Sequence, residues 1–225
     1  MLQLHHQHPW DLSTTEAKVV QEKLSQYVIC QDQLPAEINL VAGVDAGFEN
    51  KFETIRVAVA VLSFPELEVV ETKVIRRPTT FPYVPGFLSF RELPAIVDAL
   101  GEIKNFPDLI LCDGQGYAHP RRFGLACHLG VLLDCPTIGV AKSRYIGKHD
   151  ELSPEKGEWV DLIDKDERIG AVLRTRKNVR PLYISCGHRI SLKTAIAYVL
   201  ACTPKYRLPE TTRIADHLAS HATNI

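Results

Sequence analysis

Residues 107–130, PDLILCDGQGYAHPRRFGLACHLG, limit what this chain can fold into more than any other stretch. Residues 108–112 form a short apolar run that reads as a buried strand. The run ends on Asp113, followed at once by Gly114, Gln115 and Gly116, where glycine permits tight turns and close approach of a ligand. His119, Pro120, Arg121 and Arg122 come next, then the helical apolar pattern of Phe123, Leu125, Ala126 and Leu129. A carboxylate thus stands at the carboxyl end of a strand, where open α/β sheets place their ligands. With a His and two Arg beside it, it suggests a metal or an anionic substrate. The competing reading is an Asp that caps its own loop.

A second strand end repeats the arrangement. Residues 38–44 are apolar and β-prone and lead into Gly43-Val44-Asp45-Ala46-Gly47. Residues 54–64 and 67–76 read as two more strands, joined by a tight turn at Pro65-Glu66. Three strands with short connections predict an antiparallel meander. A strand over 135–140 runs out at Lys142, and shorter strands are expected over 159–163, 169–173 and 182–185. Helices are expected from Ser13 to about Cys30, over 87–100, over 191–201, and from about 208 through Asp216 and His217. Pro94 suits the second of these only if that helix begins near it. The first carries a capping box at Ser13 and Glu16 but no convincing chemistry. The expected fold class is α/β, as one domain over residues 1–225 with loose ends at 1–10 and 220–225.

If the strands ending at Asp45 and Asp113 are parallel neighbours, their carboxylates meet at one sheet edge, about 4.8 Å apart, and can share a cation. Glu92 can lean over the same point from the intervening helix, and Asp216 can close it from the last one. Hard cations such as Mg²⁺ take such oxygen ligands. The nearby His119 and Lys142 favour a phosphate substrate, whose in-line displacement metals assist. Zinc is disfavoured, because Cys112, His119, Cys127, His128 and Cys135 lack paired-ligand spacing.

Residues 78–86 hold Pro78, Pro82 and Pro85, which stiffen a loop that presents Phe81 and Tyr83. Such side chains can wedge between bases or stack on them. The competing reading is a connector that packs its own aromatics. The net charge of −1 means that contact with nucleic acid needs a local basic face. Arg121, Arg122, Lys142, Arg144 and Lys148 supply one, with Arg76 and Arg77 upstream. No apolar run is long enough to cross a bilayer. The start MLQLHHQHPW lacks a signal-peptide pattern, and its three His read as a solvated end. Six cysteines without a CxxC pair point to a reducing compartment, the cytoplasm.

Read in order, GVDAG around Asp45, FPYVPGFLSFRE over 81–92, LILCDGQGYAHPRRFGLACHLG over 109–130, GVAKS around Lys142 and LPETTRIAD near the end resemble the endonuclease V family, nucleases that act on deaminated purines. The resemblance implies a ribonuclease H-like α/β fold: a mixed sheet with an antiparallel meander and flanking helices. It implies Mg²⁺-dependent hydrolysis, with Mn²⁺ as a substitute, of the second phosphodiester bond 3′ to a deoxyinosine, leaving 3′-hydroxyl and 5′-phosphate ends. Asp45 and Asp113 would hold metal and Glu92 complete the acidic set. Asp216, or its neighbour His217, would take the family's fourth position. His119 and Lys142 would act at the phosphate and the nucleophilic water. Pro82, Tyr83, Val84 and Pro85 match the strand-separating wedge. Gly86, Leu88, Gly114, Gly124, Leu125 and Tyr145 would line a pocket for the flipped base. The expected partner of this monomer is DNA containing deoxyinosine. Alternatives are an inosine-specific ribonuclease of the same family, or a non-catalytic nucleic-acid-binding protein whose acids are caps and surface charges.

Overall fold

The strand TIRVAVAVLS is apolar at nearly every position because both of its faces are covered. The structure, a computed structural model, describes residues 2–220. Its sheet opens with β1 (Leu40–Glu49), β2 (Thr54–Ser63) and β3 (Val69–Pro78). These pair antiparallel, as the expected meander. Next come β4 (Leu109–Cys112) and β5 (Thr137–Ala141), then β6 (Trp159–Asp164), β7 (Glu167–Leu173) and β8 (Leu182–His188). The eight strands lie in the order β3-β2-β1-β4-β5-β8-β7-β6. β1, β4 and β5 are parallel neighbours, so their carboxyl ends point the same way.

Among the described residues, five α-helices accompany the sheet: α1 (Thr14–Leu24), α2 (Leu88–Gly101), α3 (Leu125–Leu133), α4 (Leu192–Ala201) and α5 (Glu210–Ser220). Successive residues of a strand face opposite sides of the sheet. Ala42, Val44, Val57, Val59, Ile110 and Cys112 accordingly pack with Leu93 and Ile96 of α2 and with Leu129 of α3. Val41, Ala58, Ala60, Leu109 and Leu111 pack on the other face with Ile196 and Val199 of α4 and Ala215 and Ala219 of α5. Each fully buried Leu or Ile in these layers contributes about 1.5–3 kcal/mol relative to exposure. Gly43 lets α5 lie flush on β1: a Cβ there would stand 2.2 Å from the Thr211 carbonyl carbon.

Three expectations differ from what is seen. β1 continues past Asp45 to Glu49, because β2 goes on pairing with it beyond the end of β4. α2 begins well before Pro94 and contains it, so the carbonyl four residues earlier loses its helical donor. The start of the chain is not a loose, solvated end. His5 N–H donates to the Leu132 carbonyl at 2.8 Å, and His8 Nε2 lies 2.8 Å from His128 Nε2. The expected loose tail falls, beyond Ser220, outside the described residues. No helix among the described residues is long and apolar enough to cross a membrane, and all six cysteines are free thiols.

Candidate active site

Three adjacent parallel strands deliver three functional side chains to one edge. Asp45 follows the last β1 residue paired with β4, Asp113 follows β4, and Lys142 follows β5. α5, seated on β1 by Gly43, brings Asp216 to the same place. One carboxylate oxygen from each of Asp45, Asp113 and Asp216 lies within 4.8 Å of the others. The Lys142 ammonium sits between two of them, 2.5 Å from Asp113 Oδ2 and 2.5 Å from Asp216 Oδ1. Arg207 Nη2 donates to the Lys142 carbonyl at 2.9 Å and so fixes the base of that side chain. Asp216 is therefore the acid that α5 contributes, while His217, one position on, is exposed. Glu92, expected among the metal ligands, is not part of this group of three. It lies buried on α2, close enough to Asp45 and Asp113 to feel their charge.

Crowded carboxylates shape the electrostatics. Burial, and then the charge of Asp113, push the Asp45 carboxyl up to about 8. Burial raises Asp113 as well, against the pull of Lys142. Burial and the two aspartates raise Glu92 well above the ordinary glutamate range. Burial disfavours the Lys142 ammonium, but Asp113 and Asp216 outweigh it and hold the lysine above its ordinary value. One ammonium cannot neutralise this much negative charge, and oxygen-only donors suit a hard divalent cation. The residues present therefore fit such an ion. No Cys or His joins a group of this kind among the described residues.

Beside the acids opens a cavity of about 330 Å³, at the lower end of the range of small-molecule sites. Gly86, Leu88, Gly114, Gly124, Leu125 and Tyr145 all line it, as expected, and so do Tyr83, Asp113, His119 and Lys142. Its rim is the proline-framed loop. Phe81, expected to be presented with Tyr83, is instead buried against Phe87, Phe90 and Ala17 and anchors the loop. Tyr83 is 73% exposed. Gly86 adopts a left-handed φ of +86°, and a Cβ there would stand 2.8 Å from Arg121 Nη2.

His119 binds this wall. Its Nδ1 accepts from the Arg121 backbone N–H at 3.2 Å, which leaves the proton on Nε2 to donate to the Gly86 carbonyl, also at 3.2 Å. Burial, with Arg121 alongside, lowers its pKa to about 4, so the ring is neutral near pH 7. Much of the expected basic face is likewise engaged within the protein. Arg122 binds Asp164 and Glu167, Arg76 binds Glu49, and Arg77 binds Asp98. Arg144 and Lys148 remain exposed. Sequence reasoning missed Arg207, and also Gln21, whose amide reaches the Gly86 carbonyl from α1. No local pattern marks either, because their partners lie far away in sequence.

A family model described as Endonuclease V matches residues 22–217. A protein named Endonuclease V from Trichormus variabilis is 63% identical over 220 residues, covering 98% of this chain and 100% of the relative. The crystal structure of the Streptomyces avermitilis Endonuclease V is 42% identical with a TM-score of 0.88, covering 94% of this chain and 93% of that one. Ciona intestinalis Endonuclease V, crystallised with a 24mer DNA containing an inosine followed by a ribo-adenosine, is 31% identical with a TM-score of 0.81, covering 92% of this chain and 95% of that one. These neighbours share the ribonuclease H-like fold, which is the mixed sheet with flanking helices described above.

Proposed function

The chain belongs to the endonuclease V family, and from that membership we propose that it nicks DNA at deoxyinosine, hydrolysing the second phosphodiester bond 3′ to the lesion to leave 3′-hydroxyl and 5′-phosphate ends. One observation carries this furthest: Asp113 belongs both to the acidic group and to the lining of the cavity, and Lys142, which also lines the cavity, contacts two of the acids. A base seated in the cavity therefore brings its own backbone to the carboxylates. When bound, a divalent cation, Mg²⁺ or in its place Mn²⁺, supplies Lewis acidity and an activated water. Asp45, Asp113 and Asp216 are its proposed holders, and Glu92 completes the acidic set as a buried carboxyl behind them. Lys142 stays protonated and faces the charge that develops on the phosphate. His119, a hydrogen-bond donor to Gly86, braces the pocket in place of taking up the water's proton. Wedge, pocket and acids all come from one chain, which supports a monomer. Free thiols throughout support a reducing compartment, the cytoplasm.

The deciding experiment incubates the protein and Mg²⁺ with a deoxyinosine duplex, an unmodified duplex and inosine RNA, with EDTA as control. A nick confined to deoxyinosine DNA and abolished by EDTA is expected. A nick of equal strength in EDTA, or none, would end the metal-nuclease reading. Stronger cutting of the RNA would transfer the activity to the ribonuclease alternative.

Tyr83 gives a separate test. A base must leave the stack before a pocket can hold it, and an inserted side chain offsets part of the unstacking cost. Base–aromatic stacking is typically worth about 1–3 kcal/mol, so Tyr83→Ala should weaken binding to a deoxyinosine duplex by roughly tenfold or more. The loss should be smaller on single-stranded inosine DNA, which needs no bracing. Because Tyr83 is so exposed, its removal should leave the melting temperature within about a degree. Equal losses on both substrates would leave the wedge without support.

A further inference from the structure

We propose that Gln21, on the N-terminal helix, is a positioning residue for lesion recognition: its amide ties the Gly86 carbonyl to the Arg121 guanidinium and so fixes the wall that the lesion base meets. This rests on the cavity being the base pocket. The inward face of α1 consists of Ala17, Gln21 and Leu24. Gln21 is only 1% exposed, and an amide is costly to bury unless its hydrogen bonds are made. Here they are made, and toward the pocket. Nε2 donates to the Gly86 carbonyl at 2.9 Å and to the Phe123 carbonyl at 3.4 Å. Oε1 accepts from Arg121 Nε at 2.6 Å. Arg121 closes the ring by donating from Nη2 to the Gly86 carbonyl at 2.7 Å, with its guanidinium 4.5 Å over the Phe87 ring.

Three segments far apart in sequence thus meet on one carbonyl, and the one that carries Gln21 contributes nothing to the acidic group. The arrangement matters for selectivity because hypoxanthine differs from guanine only in lacking the 2-amino group. Rejecting guanine requires a wall that does not yield. The Gly86 wall has no side chain of its own to resist, so its place depends on what grips its carbonyl. α1 also packs under the same loop: Ala17 and Val20 lie against Phe81, Phe87 and Val84. Without the amide, the wall would be held by Arg121 and His119 alone.

Gln21→Leu removes both links, and Gln21→Glu keeps an acceptor for Arg121 while losing the donor to Gly86. Affinity and single-turnover cleavage are measured on duplexes carrying deoxyinosine, guanine or a tetrahydrofuran abasic site at one position, beside a melting curve. For Gln21→Leu the ratio of deoxyinosine to guanine cleavage should fall about tenfold, well below the hundredfold that a 1 Å misplacement can cost. Gln21→Glu should fall between Gln21→Leu and wild type. The maximal rate on deoxyinosine should change by less than about threefold, because the acids are untouched and the loss is one of fit. Affinity for the abasic duplex should equal wild type, since no base meets the wall. Losses of equal size on all three duplexes, tracking a lowered melting temperature or unfolded protein, would make Gln21 a structural residue and overturn the proposal. Wild-type selectivity in both folded variants would overturn it too. If wild type itself showed no preference for deoxyinosine, the pocket assignment would fall, a result distinct from either of these.

Discussion

Asp45→Asn and Asp113→Asn are each expected to lower the single-turnover rate by about three powers of ten or more, because a cation's contribution of several kcal/mol is lost when its holder is. The asparagine keeps the shape and one acceptor while removing the charge. Cutting within tenfold of wild type at saturating Mg²⁺ would sink the metal assignment. Stability gives an independent readout. In wild type, added Mg²⁺ should raise the melting temperature by mass action, and neither variant should show that gain. Without metal the sign reverses in favour of the variants. Burial and Asp113 raise the Asp45 carboxyl from an ordinary 3.8 to about 8 in the folded state. A raised carboxyl pKa means that folding favours the protonated form. That stability is present below about pH 4 and is lost as pH rises to about 8. In EDTA, Asp45→Asn should therefore gain on wild type steadily across this window, and a constant difference would contradict the burial of this charge.

Lys142→Ala is the second large effect expected, and it should dissociate from the first. Its ammonium touches Asp113 and Asp216, and those carboxylates hold it protonated well beyond neutrality. It therefore acts as fixed charge and not as a base. Loss of such a group typically costs about two to four powers of ten in rate. Unlike the aspartate variants, Lys142→Ala keeps all three carboxylates, so Mg²⁺ should still raise its melting temperature. The wild-type pH–rate profile should show no ionisation lost with Lys142→Ala below about pH 9. Unchanged maximal rate with weaker DNA binding would reduce Lys142 to a phosphate clamp.

What the sequence revealed follows from how locally each feature is encoded. Asp45 and Asp113 were legible because an apolar run that stops on a carboxylate between glycines marks a strand end without help from the rest of the chain. Their meeting was a conditional prediction, fulfilled by the parallel pairing of Val44 with Cys112. The six pocket residues came from family resemblance and no periodicity would have grouped them. Asp216 could not be separated from His217 by pattern, since which helical neighbour faces inward depends on how Gly43 seats α5. The expectation for Glu92 comes from its helix leading into β4 and from the family resemblance; the sequence does not show that it lies buried behind the group of three, within range of the charges of Asp45 and Asp113. Gln21 is not singled out by the sequence, because a single polar residue on a helix has no signature until its partners from residues 86 and 121 arrive. Phe81 and Tyr83 were indistinguishable in a proline-rich loop, and only packing against α1 makes one an anchor and the other a tip.

The seating of α5 on β1 also sets when the acidic group can form. Translation makes residue 45 long before residue 216. Until the final helix has been synthesised and has docked, the apolar face of β1 and β2 that it covers is open, and only two of the three acids are in place. A growing chain on the ribosome, or a fragment cut short before residue 210, therefore lacks Asp216 and cannot assemble the group of three acids. The cluster forms only when α5 has been made and has docked, however early the strands before it pair.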